Sequence, residues 1–148
     1  MFSGISTITC GEGTLVSIIL IADDHKETRE TLASLLSKQG HEVYTADSAF
    51  QLLELVRQHP DFQLVLTDLK MPRMDGIQLL ETLRLQNRQA PIIVMSSFST
   101  EDTVLAAFRH GATDYLQKPF TWKELQGVLR KAMQHVEKAH TQTPEPRN

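Results

Sequence analysis

Residues 64–80 read LVLTDLKMPRMDGIQLL. The run that opens this stretch, QLVLT at 63–67, lacks the alternation of a strand with one wet face and reads as a strand buried on both. Past Asp68 the pattern breaks at Met71-Pro72 and Asp75-Gly76, both of turn-forming composition, and Ile77, Leu80 and Leu83 then return at helical spacing. A doubly buried strand that passes through a short loop into an amphipathic helix is one βα unit of a parallel sheet covered on both sides.

The flanking sequence repeats that unit. Besides 63–67, strands are expected at 15–22 (LVSIILIA), 42–45, 91–95 (PIIVM) and 113–116, each followed by a helical pattern. The first, third and fourth are nearly continuous Val, Ile and Leu and belong at the centre of the sheet, whereas the second and fifth are more polar and belong at or near its edges. A helix over about 25–39 buries Leu32, Leu35 and Leu36 and stops at Gly40. The next, over about 48–58, opens on a capping box of Ser48 and Gln51, buries Leu52, Leu55 and Val56, and is ended by Pro60. The helix after Asp75-Gly76 is the third. A fourth starts near Ser99 or Thr100, carries Glu101 and Asp102 where the helix dipole favours acids, and closes at Gly111. The last, from about Thr121, has Leu125, Val128, Leu129, Ala132 and Val136 on one stripe.

At 148 residues and 41% hydrophobic, the chain can bury one core and is short for two. A formal net charge of −3 with scattered Lys and Arg lacks the basic stripe of a direct nucleic-acid binder. Cys10 has no partner for an internal disulfide, and the six histidines show no zinc spacing. The apolar run at 15–22 is far short of the roughly 20 residues of a membrane-spanning helix, and no basic segment precedes it, so a cytoplasmic location is expected. Residues 1–14 are expected to form a flexible N-terminal extension and 139–148 a flexible tail or the start of a linker, leaving 15–138 as the globular domain. Gly11-Glu12-Gly13 precedes the first strand, whereas a phosphate-binding loop follows one, and is set aside.

In an open sheet of this kind the working site lies beyond the carboxyl ends of the strands. Those positions hold Asp23-Asp24, Asp68, Ser96-Ser97 and Lys118-Pro119. Three carboxylates converging there would raise a pKa or demand a cation, and an all-oxygen site with open positions suits Mg²⁺. A lysine and a hydroxyl aimed at the same place complete a site for a tetrahedral anion, with one carboxylate left as nucleophile. Each residue also has a plain structural reading. Asp24 would cap the first helix, Asp68 would close an Asx turn, Ser96 would be a satisfied core hydroxyl, Lys118 a solvated charge, and Tyr115 a half-buried strand aromatic. Only their joint placement at strand ends favours the functional reading.

The segment at 64–80, together with ILIADDHKETRE, Ser96-Ser97 and YLQKPF in the same order, resembles the receiver domain of two-component response regulators over about 15–138. LTDLKMPRMDG with IIVMSSF and GATDYLQKPF is most similar to receivers that precede a sigma-54 activator output. The resemblance implies a flavodoxin-like doubly wound sheet of five parallel strands in the order 2-1-3-4-5, with helices on both faces. It implies that Asp68 takes a phosphoryl group from a sensor histidine kinase or phosphotransfer protein, and that the chain catalyses only its own phosphorylation and dephosphorylation. Asp23, Asp24, Asp68 and the main-chain carbonyl of Lys70 would hold Mg²⁺, with Mn²⁺ as a substitute. Lys118 and Ser96 would contact the phosphoryl group, and a cis bond before Pro119 would aim Lys118.

By the same resemblance, Ser96 and Tyr115 would switch together and remodel the face made by the fourth helix, fifth strand and fifth helix, a surface for control of an output or for homodimerisation. Phe108, Tyr115, Phe120 and Trp122 lie in or beside that face; the alternative is that Phe120 and Trp122 simply seat the last helix. Lys70 and Phe98 occupy positions that tune phosphoryl lifetime, and bulky Phe98 is expected to slow water entry. Ser97 stands where the family usually has alanine or glycine, and adds a hydroxyl or crowds the site. Three rivals are weaker. An aspartate-nucleophile phosphatase needs its nucleophile after the first strand, ADDHKE would repel the phosphates of a flavin or nucleotide, and a receiver degenerate in its chemistry would not keep all five site positions.

Overall fold

The computed structural model describes backbone and side chains over residues 17–71, 73–87, 89–97 and 99–134, and backbone alone at 9–10, 14–15 and 135–141. Phe98, most of the expected N-terminal extension, the side chain of Val136 and the tail beyond 141 lie outside the described residues.

Five strands, β1 (Ile18–Ala22), β2 (Glu42–Ala46), β3 (Leu64–Asp68), β4 (Ile92–Ser96) and β5 (Asp114–Gln117), form one parallel sheet in the order β2-β1-β3-β4-β5. They alternate with α1 (Lys26–Lys38), α2 (Ala49–Gln58), α3 (Gly76–Gln86), α4 (Glu101–Arg109) and α5 (Trp122–Thr141). This is the expected doubly wound arrangement, with the two more polar strands at the edges. Side chains alternate along each strand, and the two faces fill two cores. Leu20, Val65 and Val94 meet Leu52, Leu80 and Ala107 on one face, while Ile21, Leu66 and Ile93 meet Leu36, Leu125 and Leu129 on the other. Every position of β1, β3 and β4 is buried, which is why these strands read as unbroken apolar runs. Each such Ile or Leu contributes about 1.5–3 kcal/mol relative to exposure.

Several boundaries differ from expectation for local reasons. β1 begins at Ile18 rather than 15, because Thr14–Leu15 pairs antiparallel with Thr9–Cys10. Ser17, between them, is buried, its N–H donating to His41 Nδ1 and its hydroxyl to the Met133 sulfur. β5 begins one residue late, because the Thr113 hydroxyl accepts from the Ile92 N–H and from Arg84. The Ser48 cap forms, but Gln51 reaches back to the N–H of Asp47 rather than Ser48, so the box closes one residue early. A full reciprocal box occurs instead between Thr100 and Thr103 on α4. Leu35 and Leu55 are only half-buried, and Leu79 is buried beside Leu80.

Arg84, which no periodicity singles out, ties the ends of three elements together. Its guanidinium donates to the carbonyls of Gly111 at 2.7 Å, Ala90 at 2.7 Å and Asn87 at 3.2 Å. Gly40, φ 96°, is the left-handed residue that ends α1, as expected of a C′ glycine.

Gly76 is constrained by contact. A Cβ there would stand 2.2 Å from the Leu69 carbonyl oxygen, so α3 starts closer to the end of β3 than any side chain permits. Gly76→Ala should lower the unfolding free energy by about 1–3 kcal/mol in urea denaturation. Gly127→Ala, whose Cβ meets nothing within 4 Å, should instead raise it by about 0.5–1 kcal/mol as an ordinary helix substitution.

Candidate functional site

The strand order reverses between β1 and β3, and the chain leaves these strands on opposite sides, opening a crevice at their carboxyl ends. The backbone places the site residues through the ends of the ladders. The Asp23 N–H donates to Ala46, that of Leu69 to Met95, and that of Lys118 to Ser96. Asp23 is 0%, Asp68 5% and Ser96 1% exposed.

Lys118 joins them. Its ammonium donates to Asp23 Oδ2 at 2.7 Å and to Asp68 Oδ2 at 2.9 Å, with the side chain only 14% exposed. The cation that converging carboxylates were expected to demand is thus supplied from within the chain. Burial by itself would lower the pKa of the Lys118 ammonium, and is the largest single influence on it. The hydrogen bonds to Asp23 and Asp68 and their charges outweigh it together, so the pKa is raised. The Lys118–Pro119 peptide bond is cis.

Each carboxylate divides its oxygens. Asp23 Oδ1 accepts the His25 N–H at 2.9 Å, and Asp68 Oδ1 accepts the Lys70 N–H at 3.0 Å. Asp68 therefore does close the Asx turn that its bland reading required, while its other oxygen faces Lys118. Asp24 is not the cap of α1. That position is His25, which makes no side-chain capping bond. Arg29 donates to the Asp23 carbonyl oxygen at 2.9 Å and pins the turn that carries both aspartates. No spacing rule announces that arginine, because its target is main chain.

Asp23, Asp24, His25 and Asp68 each offer a ligand atom, all within 4.8 Å of one another. Three carboxylates are a hard, oxygen-rich donor set, so these residues fit Mg²⁺. Asp24 and Lys70 line one shallow depression of about 420 Å³ beside that cluster. Ser97 is exposed and lines a larger groove of about 700 Å³ together with Lys118, Thr31 and Leu35 of α1, Phe120, and Trp122 of α5.

The residues expected to carry a signal are divided by burial. Tyr115 is half-buried against the α2/α3/α4 core, and its hydroxyl accepts from Ser99 at 3.0 Å. Phe120 and Trp122 are half-buried against the α1/α5 core and seat α5. Of the four aromatics, Phe108 alone is exposed, at 43%. Among the described residues, no helix is long and apolar enough to cross a membrane.

Residues 19–130 match the family model of the response regulator receiver domain. The transcriptional regulatory protein ZraR of Escherichia coli is 38% identical over 126 residues, covering 85% of this chain and 28% of that protein. The chain thus spans well under a third of that relative's length. Among solved structures, NtrX from Brucella abortus, in complex with ATP, aligns with a TM-score of 0.79 at 30% identity over 86% of this chain and 29% of that one. A response regulator receiver domain protein from Clostridium thermocellum aligns with a TM-score of 0.77 at 27% identity, over 82% of this chain and 98% of that one.

A lysine whose folded pKa is raised contributes stability that is fully present below its unfolded pKa, about 10.4, and is lost as pH rises through the folded pKa. Urea midpoints of wild type and Lys118→Met should therefore differ at neutral pH, with the wild type ahead. The gap should close above about pH 10.4. An equal gap at every pH would contradict the bridge.

Proposed function

The chain belongs to the response regulator receiver family of two-component signalling, and on that premise we propose that Asp68 is its phosphoacceptor. The observation that carries this reading is the Lys118 bridge, which holds Asp23 and Asp68 together at the switch point with Asp24 alongside. A carboxylate oxygen of Asp68 forms a bond to phosphorus as the phosphorus–nitrogen bond of a phosphohistidine breaks. The electron pair stays on the imidazole, which takes up a proton. Such a transfer needs positioning and charge neutralisation more than a general base.

Lys118 follows the phosphoryl group while keeping hold of Asp23, and the Ser96 hydroxyl donates to a phosphoryl oxygen. Mg²⁺, or Mn²⁺ in its place, would be held by Asp23, Asp24, Asp68 and the main-chain carbonyl of Lys70, and would neutralise phosphoryl charge. Ser97 and Lys70 stand at the rim and tune hydrolysis; Phe98, expected to slow water entry, lies outside the described residues.

The donor is a sensor histidine kinase or a phosphotransfer protein, and the groove between α1 and the start of α5 opens onto Lys118 where such a partner would dock. The chain catalyses only its own phosphorylation and dephosphorylation, in the cytoplasm. Its message leaves through α4, β5 and α5, where Leu105 and Phe108 are exposed and a second copy or an output domain would pack. Transcriptional output is the reading that ZraR's description as a transcriptional regulatory protein favours, and the sigma-54 activator type rests on the LTDLKMPRMDG, IIVMSSF and GATDYLQKPF segments. DNA contact would fall to other parts of such a protein.

Incubation with acetyl phosphate and Mg²⁺ should add the mass of one phosphoryl group to wild type and none to Asp68→Asn. Intact-mass measurement decides it. An adduct formed equally well without Mg²⁺, or persisting in the mutant, would sink the mechanism. Once formed, the adduct should last minutes or longer; loss within seconds would remove the role given to Phe98.

A further inference from the structure

His25 follows the aspartate pair directly, and its ring has no evident structural duty. It caps nothing, and its exposure is 73%. Yet the ring lies back over the acidic cluster. Nδ1 is 3.5 Å from Asp24 Oδ1 and 3.6 Å from Asp23 Oδ1. Both separations are too long for effective hydrogen bonds, so the nitrogen is committed to neither carboxylate. They do suit two donors of one ion, since metal–ligand bonds of about 2.0–2.2 Å put neighbouring ligands about 3 Å apart and opposite ones about 4.4 Å apart. The ligand atoms of all four side chains lie within 4.8 Å of one another, so a closure of a few tenths of an ångström would bring the widest pair to the spacing of opposite ligands. Lys118 engages the Oδ2 atoms of Asp23 and Asp68; the oxygens nearest the ring are the Oδ1 atoms of Asp24 and of Asp23, the latter also accepting the His25 main-chain N–H at 2.9 Å.

We propose that His25 is a further donor at the divalent-ion site, and that its imidazole shifts the site's preference from Mg²⁺ toward first-row transition ions such as Mn²⁺. The proposal rests on the reading of the cluster as the metal site. Mg²⁺ favours oxygen ligands and gives up water reluctantly, so a nitrogen donor adds little to its binding. Transition ions accept imidazole readily, and their affinity for a mixed nitrogen and oxygen set rises accordingly. His25 therefore acts on selectivity more than on whether the site binds at all.

The metal-free protein is titrated with Mg²⁺ and with Mn²⁺, binding being followed by the fluorescence of Trp122, the single tryptophan, and by calorimetry. Wild type, His25→Ala and Asp24→Asn are compared. The ratio of Mn²⁺ to Mg²⁺ affinity should fall on the order of ten-fold in His25→Ala, with Mg²⁺ binding nearly unchanged. Pulsed electron paramagnetic resonance of the Mn²⁺ complex should show nitrogen hyperfine coupling in wild type that His25→Ala lacks. An unchanged ratio, or no nitrogen coupling in wild type, overturns the proposal while leaving the metal site standing. Failure of wild type to bind either ion, or undiminished binding by Asp24→Asn, overturns the metal site and the proposal together.

Discussion

One ammonium group lies between two carboxylates that water hardly reaches. Lys118 is 2.7 Å from Asp23 and 2.9 Å from Asp68, and this three-centre contact ties the segment after β5 to the ends of β1 and β3, across β4. Removing the cation would strand two buried charges at a cost of about 3–5 kcal/mol. The contact also couples charge to register. Ala22 pairs with Thr67, and Thr67 with Val94, so the strand ends are level and the acids arrive side by side. A slip of one residue would turn each acid to the opposite face of the sheet.

Most of this was legible because it follows from patterns of short range. Unbroken apolar runs located β1, β3 and β4, and the polar character of Glu42–Ala46 and Asp114–Gln117 placed those strands at the edges. The carboxyl-end rule then turned four strand endings into candidate site positions without any knowledge of distance. What escaped reading depends on contacts between segments distant in sequence or directed at main chain. Arg84 reaches the Gly111 carbonyl, 27 residues away, and Arg29 reaches the Asp23 carbonyl. Neither target carries a side-chain signal. The late start of the first strand, after Ser17, escaped for the same reason, because the partners of Ser17 are His41 and Met133.

The bland and the functional readings of a residue proved separable by atom rather than exclusive. Asp68 closes an Asx turn through Oδ1 and meets Lys118 through Oδ2, so one carboxylate holds its own loop in place while offering an oxygen to chemistry. Asp23 divides in the same way between the His25 N–H and Lys118. On the proposed role of Asp68 as phosphoacceptor, turn geometry would orient the reacting oxygen, and the cost of orienting it would be met in folding rather than at the moment of reaction. The aromatics behaved differently. Phe120 and Trp122 pack into the α1/α5 core and are less available as a docking surface, which leaves Phe108 and, about one turn earlier on α4, Leu105 as the exposed apolar residues of the proposed output face.

The proposed route from site to output is short enough to be argued from covalent continuity. Ser96 ends β4 inside the site, and Ser99, three residues on, donates its hydroxyl to Tyr115 at 3.0 Å. Thr100 then begins α4 with a reciprocal capping box to Thr103, so the helix start is fixed as a unit. On the proposed role of Ser96, its displacement toward a phosphoryl group would act on the same short stretch of chain that carries Ser99, the anchor of Tyr115. A neutral hydroxyl–hydroxyl bond contributes only about 0.5–1.5 kcal/mol, small beside the charge-assisted contacts a phosphoryl group would make with Lys118. The weaker bond would yield first, and the element freed by its yielding would be Tyr115 rather than the sheet.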